Sequence, residues 1–354
     1  MKKIIVLLIV LTVFGNTRAQ QPFNQVDQWL AEQVSGMGGR LMMVVSKDGK
    51  IVYSHAVNKM SGRDKMLVRL VAKKQGKPAD LSDYTSSTRQ PIASCSKWLS
   101  AALVMTFVDE GKLKLTDTVG QFFPILSQNK KGSITISECL SHMTGIRSPD
   151  LRENLAEMRQ VNSMEEEIGK IADYPMEGQP GKVFRYSNTG LQIAGAVIEK
   201  ISGKSFETLF AERIAIPLEM KHTDFGKGKV ALPAGGAVST VNDYMNFLNM
   251  ILNKGEFHGK RVLSENSIAQ MQVNRITADV KIAYTPAEAA GMGYGYGEWI
   301  TGSGVLSSPG LFGAFPWIDK EKKYCAFLMA FYLRSDGRQE KYNQLRKLVD
   351  KALQ

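Results

Sequence analysis

The chain has 354 residues, enough for about two domains at roughly 150 residues each. Hydrophobic residues make up 44% and charged residues 22%, globular proportions that exclude collagen, coiled coil or disorder for the protein as a whole. The formal charge of +11 suggests nucleic acid, but the sharpest basic clusters, Lys73–Lys74 and Lys130–Lys131, are only pairs and no aromatic residues interleave with them.

Residues 1–20 begin with Lys2 and Lys3, run through the apolar stretch Ile4–Gly15, and end with the small residues Thr17 and Ala19. This is the layout of a secretory signal peptide cut after Ala19 or Gln20, and its 12 apolar residues are too few to span a bilayer comfortably. A periplasmic or secreted protein is expected, with no stable membrane span after cleavage. Removing Lys2, Lys3 and Arg18 lowers +11 to +8, and the rest is expected to be a solvated surface.

Along the remaining chain, Asn24–Gln33 predicts a short amphipathic helix. Arg40–Ser46 and Lys50–His55 are strand-like runs around Lys47-Asp48-Gly49, and D-G between two such runs predicts a hairpin. Residues 59–90 look polar and irregular, with a mixed stretch around Met66–Ala72. Cys95–Asp109 is apolar almost all round, which predicts a buried helix ended by Gly111. Residues 112–290 are mostly helical segments, among them Ser137–His142, Gly190–Ile201, Phe206–Ile214 and Val241–Leu252. Met292–Ile300, Gly304–Leu306, Phe312–Ile318 and Tyr324–Tyr332 are strand-like, and Arg338–Leu353 predicts a closing helix. The simplest architecture is mixed α/β (α+β). Both ends, residues 21–105 and 290–354, build one antiparallel sheet with flanking helices, and residues 106–289 form an inserted helical domain.

The three cysteines, Cys95, Cys139 and Cys325, make no C-x-x-C pair and leave at most one bridge. The four histidines, His55, His142, His222 and His258, lack metal-ligand spacing, so neither a metal nor another cofactor is expected. The run Gly291–Gly297 lacks the strand–loop–helix setting of a dinucleotide loop.

The strongest chemical pattern is Ser94-Cys95-Ser96-Lys97 at the start of the buried helix. Three residues apart, Ser94 and Lys97 share a helix face. A lysine in apolar surroundings has a lowered pKa and can accept the serine proton, while the helix N-terminus favours a developing oxyanion. The same S-x-x-K spacing at Ser127–Lys130 lies in a polar loop. Tyr186-Ser187-Asn188, after Pro180-Gly181 and before an apolar helix, adds a phenol for proton shuttling and an amide to orient the lysine or a carbonyl. A second Y-x-N, Tyr244-Met245-Asn246, sits inside a helical pattern and is expected to pack.

Four segments occur in order: Pro91–Lys97, Ile134–Ile146, Pro180–Gly190, and Gly235-Gly236 with Ser239-Thr240 and Asp243. Together they resemble the S-x-x-K serine hydrolases: class C β-lactamases, D-Ala-D-Ala carboxypeptidases and β-lactamase-related esterases. The resemblance implies the β-lactamase/transpeptidase-like fold. It makes Ser94 the acylated nucleophile, Lys97 the activating base, Tyr186 the second acid/base and Asn188 a substrate-orienting group. The Ser94 N–H becomes half of an oxyanion hole. His142 also matches a family position, but is expected to be structural, and Cys95 is expected to pack in the core.

The family's third motif matches best at Ser308-Pro309-Gly310. It predicts a strand approached by substrate at Gly310 and a second oxyanion donor at the Leu311 N–H. Position 308 carries no cation, where the family commonly meets a substrate carboxylate. The expected activity is hydrolysis of a small-molecule or peptide ester, amide or lactam. Esterase or amidase action ranks ahead of β-lactamase, and D-Ala-D-Ala carboxypeptidase third. A non-catalytic binder or sensor on the same fold is the reading from a different class.

Overall fold

The computed structural model describes residues 21–354 apart from Gln75, Lys77, Lys227 and Ser335; the expected signal peptide lies outside the described residues. Seven strands form the main sheet: β1 Arg40–Lys47, β2 Lys50–Asn58, β3 Gly293–Tyr294, β4 Trp299–Ile300, β5 Leu306–Ser307, β6 Phe315–Asp319 and β7 Tyr324–Ala330. Their order is β2-β1-β7-β6-β5-β4-β3, every neighbour antiparallel. The two chain ends meet where β1 pairs β7, from Leu41 opposite Ala330 to Lys47 opposite Tyr324. At the expected hairpin both Asp48 and Gly49 have positive φ, the twist that a tight two-residue turn needs.

β1 reads as a continuous apolar run because both of its faces are covered. Leu41, Met43 and Val45 pack with Val26 and Leu30 of α1 (Asn24–Gln33) and with Leu345 and Val349 of the closing helix. Met42 and Val44 join the opposite core with Trp98 and Leu99. The polar-looking segment after β2 contains a helix, α2 (Gly62–Lys74), where an irregular stretch was expected. Ser61 and Asp64 start it reciprocally: the Asp64 N–H donates to Ser61 Oγ at 3.2 Å, and the Ser61 N–H donates to Asp64 Oδ2 at 2.8 Å. Its apolar residues do not mark a core face, which is why periodicity missed it.

α3 (Ser96–Asp109) is buried from Ser96 through Phe107, as its all-round apolar sequence requires. The sheet lies on one side of it. On the other lie helical segments, including α4 (Thr189–Ser202), while α5 (Val241–Leu252) packs on the sheet against β1, β6 and β7 and sets Phe247 edge-on to Trp98 of α3. Thr240 caps α5 by accepting from the Asp243 N–H, which accounts for the S-T-x-x-D spacing. The closing helix, α6 (Arg338–Ala352), stacks Tyr342 on Phe315 at 3.8 Å between ring centroids. All three cysteines are free and buried. Among the described residues no helix is long and apolar enough to cross a membrane, and no side-chain cluster could hold a metal.

The turn between β3 and β4 rests directly on α3. Gly297 has φ +79, and a Cβ there would lie 2.5 Å from the Lys97 carbonyl oxygen and 2.8 Å from Ala101 Cβ. Gly297→Ala should therefore lower the unfolding free energy by about 2–4 kcal/mol, read from urea denaturation. An unchanged midpoint would show that this turn is not fixed against the helix.

Candidate active site

The chain turns sharply into α3. Ala93 has φ +46, unusual for a residue with a side chain, and a single helical turn over Ala93–Cys95 leads into the helix. Ser94 is half-buried on this turn, and Lys97 follows on the same face. Lys97 is buried; its Nζ lies 3.2 Å from Ser94 Oγ, 3.4 Å from Asn188 Oδ1 and 2.7 Å from the Ala234 carbonyl. Burial pushes the amine down to about 7. A neutral amine keeps two N–H donors, enough for Ala234 and Asn188, and turns its lone pair to Ser94.

The segment that supplies the Ala234 carbonyl is tied along α3. The Ala237 N–H donates to Ser96 Oγ at 3.0 Å, and Ser100 Oγ donates to the Pro233 carbonyl at 2.7 Å. On the far side, Val183–Arg185 pairs in parallel with Lys281–Tyr284, a contact absent from the sequence reading. The Tyr186 N–H continues the pairing to the Tyr284 carbonyl at 3.1 Å, and the Arg185 N–H donates to the His142 carbonyl at 3.0 Å. The register therefore delivers Tyr186-Ser187-Asn188 to the start of α4.

The Tyr186 ring lies 4.7 Å from Lys97 Nζ, and its centroid is 4.7 Å from His142 and 5.0 Å from Trp299. Burial holds the phenol well above its ordinary pKa, and hydrogen bonding with Ser94 pulls it part of the way back. His142 bonds Tyr294 Oη through Nε2 at 3.0 Å. Burial first, then the charge of Lys97, pushes its imidazole well below the usual range, so it stays neutral. These contacts fit its expected structural place, packed against Tyr186.

A cavity of about 450 Å³ opens over these groups. Ser94, Lys97, Tyr186, Asn188 and Leu311 all line it. Ser308 and Gly310 do not fit their expected setting. Residues 308–314 form the connection between β5 and β6 rather than a strand. Ser308 Oγ is turned inward, donating to the Ser94 carbonyl at 3.2 Å or the Gly297 carbonyl at 3.1 Å. Gly310 is packed closely on protein backbone: a Cβ there would lie 2.3 Å from the Ile92 carbonyl oxygen. Both residues therefore brace the Ser94 turn from behind. The Leu311 N–H has no acceptor among the described residues, which leaves it free for an oxyanion.

Three contributors carried no sequence signal. Asn154 Oδ1 accepts from Asn188 Nδ2 at 3.0 Å and fixes that amide's orientation. Trp299 forms a wall beside Tyr186. The buried Arg338 sits behind Leu311, donating to its carbonyl at 3.2 Å and to the Arg334 carbonyl at 2.8 Å; its Nη1 is 3.5 Å from Glu288 on the cavity wall.

Burial of Lys97 also sets a pH dependence. The folded protein holds the amine neutral from about pH 7 upward, whereas the unfolded chain keeps it protonated to about 10.5. The unfolded state binds more protons across that interval, so this group makes stability rise with pH there and lose that contribution as pH falls through the folded value. Wild-type stability minus that of Lys97→Met should increase by up to about 1.4 kcal/mol per pH unit between pH 7 and 10. A difference that stays flat in urea unfolding would mean the amine is charged in the folded state.

The Beta-lactamase family model matches residues 26–351. A candidate D-alanyl-D-alanine carboxypeptidase of Escherichia coli strain K12 is 26% identical over 211 residues, 57% of this chain and 46% of that protein. The crystal structure of a candidate β-lactamase from Bacteroides dorei DSM 17855 superposes with a TM-score of 0.76 at 26% identity, covering 94% of this chain and 98% of that one. EstCE1, a hydrolase with promiscuous acyltransferase activity, shares the fold at TM-score 0.71 and 18% identity, covering 93% and 98%. With the match running almost from end to end over a sheet joined from both termini, the chain belongs to the Beta-lactamase family.

Proposed function

We propose that this protein is an exported serine hydrolase that forms an acyl-enzyme on Ser94 and cleaves an ester or amide. The observation that carries this reading is the buried Lys97 amine, pushed down to about 7 and 3.2 Å from Ser94 Oγ. In the proposed reaction the Ser94 O–H donates its proton to neutral Lys97 Nζ as Oγ attacks the substrate carbonyl. The N–H groups of Ser94 and Leu311 hold the oxyanion. The Tyr186 phenol relays a proton to the leaving alcohol or amine as its bond to the acyl carbon breaks. Lys97 passes its proton on to the Tyr186 oxygen; water then attacks the acyl carbon, giving its proton to neutral Lys97, which hands it to Ser94 Oγ as the bond from Oγ to the acyl carbon breaks and the acid is released. Asn188, held by Asn154, keeps Lys97 aimed.

The surroundings of Leu311 support ester and amide substrates ahead of β-lactams or D-Ala peptides. Ser308 offers no charge, and the neighbouring Arg338 is engaged by Glu288 and backbone carbonyls. The hydrolase neighbours support the reaction class, and residues 1–20 support export to the periplasm or medium.

Treatment with a fluorophosphonate should add one adduct by intact mass, placed on Ser94 by peptide mapping and lost in Ser94→Ala. Hydrolysis of p-nitrophenyl esters should exceed that of nitrocefin or a D-Ala-D-Ala peptide. Because the base must be neutral, kcat/KM should rise about tenfold per unit below pH 7 and level off above it. Lys97→Arg should cost about 10²–10⁴-fold. Turnover retained by Ser94→Ala would displace the nucleophile, and absence of any adduct would favour a binding protein on this fold.

A further inference from the structure

We propose that α2 docks this protein on the surface of an anionic phospholipid bilayer. The helix Gly62–Lys74 leaves the sheet and returns to the same place. Asn58 Nδ2 donates to Asp83 Oδ1 at 2.8 Å and to the Leu81 carbonyl at 3.4 Å, and Arg40 Nη1 donates to the Ser82 carbonyl at 2.9 Å. The base of the excursion is thereby pinned while the helix between stands out.

Only a narrow stripe of α2 turns inward: Asp64, Val68 and Ala72, spaced i, i+4, i+8, are half-buried. The outward face is apolar, with Met66 60% exposed, Leu67 59%, Leu70 52% and Val71 37%. Met66 and Leu70, and Leu67 and Val71, are i, i+4 neighbours, so the four make one patch. Lys65, Arg69 and Lys73 repeat at the same spacing on the adjoining arc, all exposed, and Arg63 adds a fourth exposed cation. The helix contains one acid, Asp64, whose carboxylate is occupied by Ser61.

An apolar face bordered by cations is the physical signature of a helix lying in a membrane interface. The four apolar side chains enter the boundary between headgroups and acyl chains. The basic side chains run their stems along that boundary and place their charges at lipid phosphates. At 13 residues the helix is about 20 Å long, so it lies in the plane rather than crossing. A second copy of the chain fits this face less well. Four side chains fall far short of the roughly 20–30 residues per partner of a stable interface, and pairing would bring like charges together.

Flotation of residues 21–354 with phosphatidylcholine vesicles, with and without phosphatidylglycerol, tests the proposal. Wild type should float with the anionic vesicles and stay behind with phosphatidylcholine alone. Leu67→Ser/Leu70→Ser and Arg69→Glu/Lys73→Glu should each weaken the anionic binding by about tenfold or more. Both variants should keep the wild-type melting temperature and the wild-type rate on a soluble ester, so loss of binding is separated from misfolding and from failure of the hydrolase reading. Wild type that ignores anionic vesicles, or a Leu67→Ser/Leu70→Ser variant that binds them as well, would overturn the proposal. Unchanged binding by Arg69→Glu/Lys73→Glu would overturn the anionic requirement. Self-association lost in Leu67→Ser/Leu70→Ser, with no vesicle binding, would assign the face to a second copy.

Discussion

The desolvated amine of Lys97 is the constraint around which the site is arranged. Exposed to water, it would hold its proton at neutral pH; in an apolar core without partners, the protonated form would cost several kcal/mol. The protein takes a middle course. It buries Lys97 on α3, lowers the amine to about 7, and surrounds it with Ser94, Asn188 and the Ala234 carbonyl. That solution demands a helix covered on every side. The sheet covers one side through the Gly297 turn, and the segment around Pro233–Ala237 covers another. The joining of distant chain ends in one sheet is therefore tied to the chemistry proposed for Ser94.

Polar order spreads outward from that amine. Asn188 must present its oxygen to Lys97, and Asn154 enforces this by accepting from the amide nitrogen. In the proposed reaction Tyr186 must remain a neutral phenol, and its packing against the aromatic rings of His142, Tyr294 and Trp299 favours that form. His142 can serve as a wall because it is itself neutral. A charged imidazole would repel Lys97 and compete for the same protons. The backbone follows the same logic: the positive φ of Ala93 turns Ser94 toward the cavity, while Ser308 and Gly310 hold that turn from behind.

What the sequence reveals here depends on how locally an interaction is encoded. Ser94 and Lys97 lie within one helical turn, so their approach follows from spacing and the apolar run behind them. Tyr186-Ser187-Asn188 is one short segment, readable beside its helix even though the pairing that places it is remote. The hairpin at Asp48-Gly49 and the two-sided burial of β1 are also local patterns. Asn154 escapes notice because its partner Asn188 is 34 positions away. Arg338 is 27 positions from Leu311, and its sequence reads as an ordinary helix start. Ser308 and Gly310 fall in a segment whose form is decided by tertiary contact with the Ser94 turn, so the strand expected there from the family motif did not form. α2 escapes notice for another reason: its apolar residues point outward and mark no core face.

The preference proposed for uncharged acyl groups rests on the region near Leu311. Positive charge is present there, since Arg338 lies against the Leu311 carbonyl, but it is consumed. Its guanidinium is fully buried, spread over backbone carbonyls and facing Glu288. An incoming carboxylate would have to displace Glu288, leaving one acid of the pair unsatisfied at the cavity wall. It would gain an ion pair only by breaking one that already exists, and desolvation of the new anion would be uncompensated. An uncharged acyl group meets no such penalty. It needs only the apolar wall of Trp299 and Pro309, and a carbonyl oxygen directed between the two free N–H groups proposed to receive it.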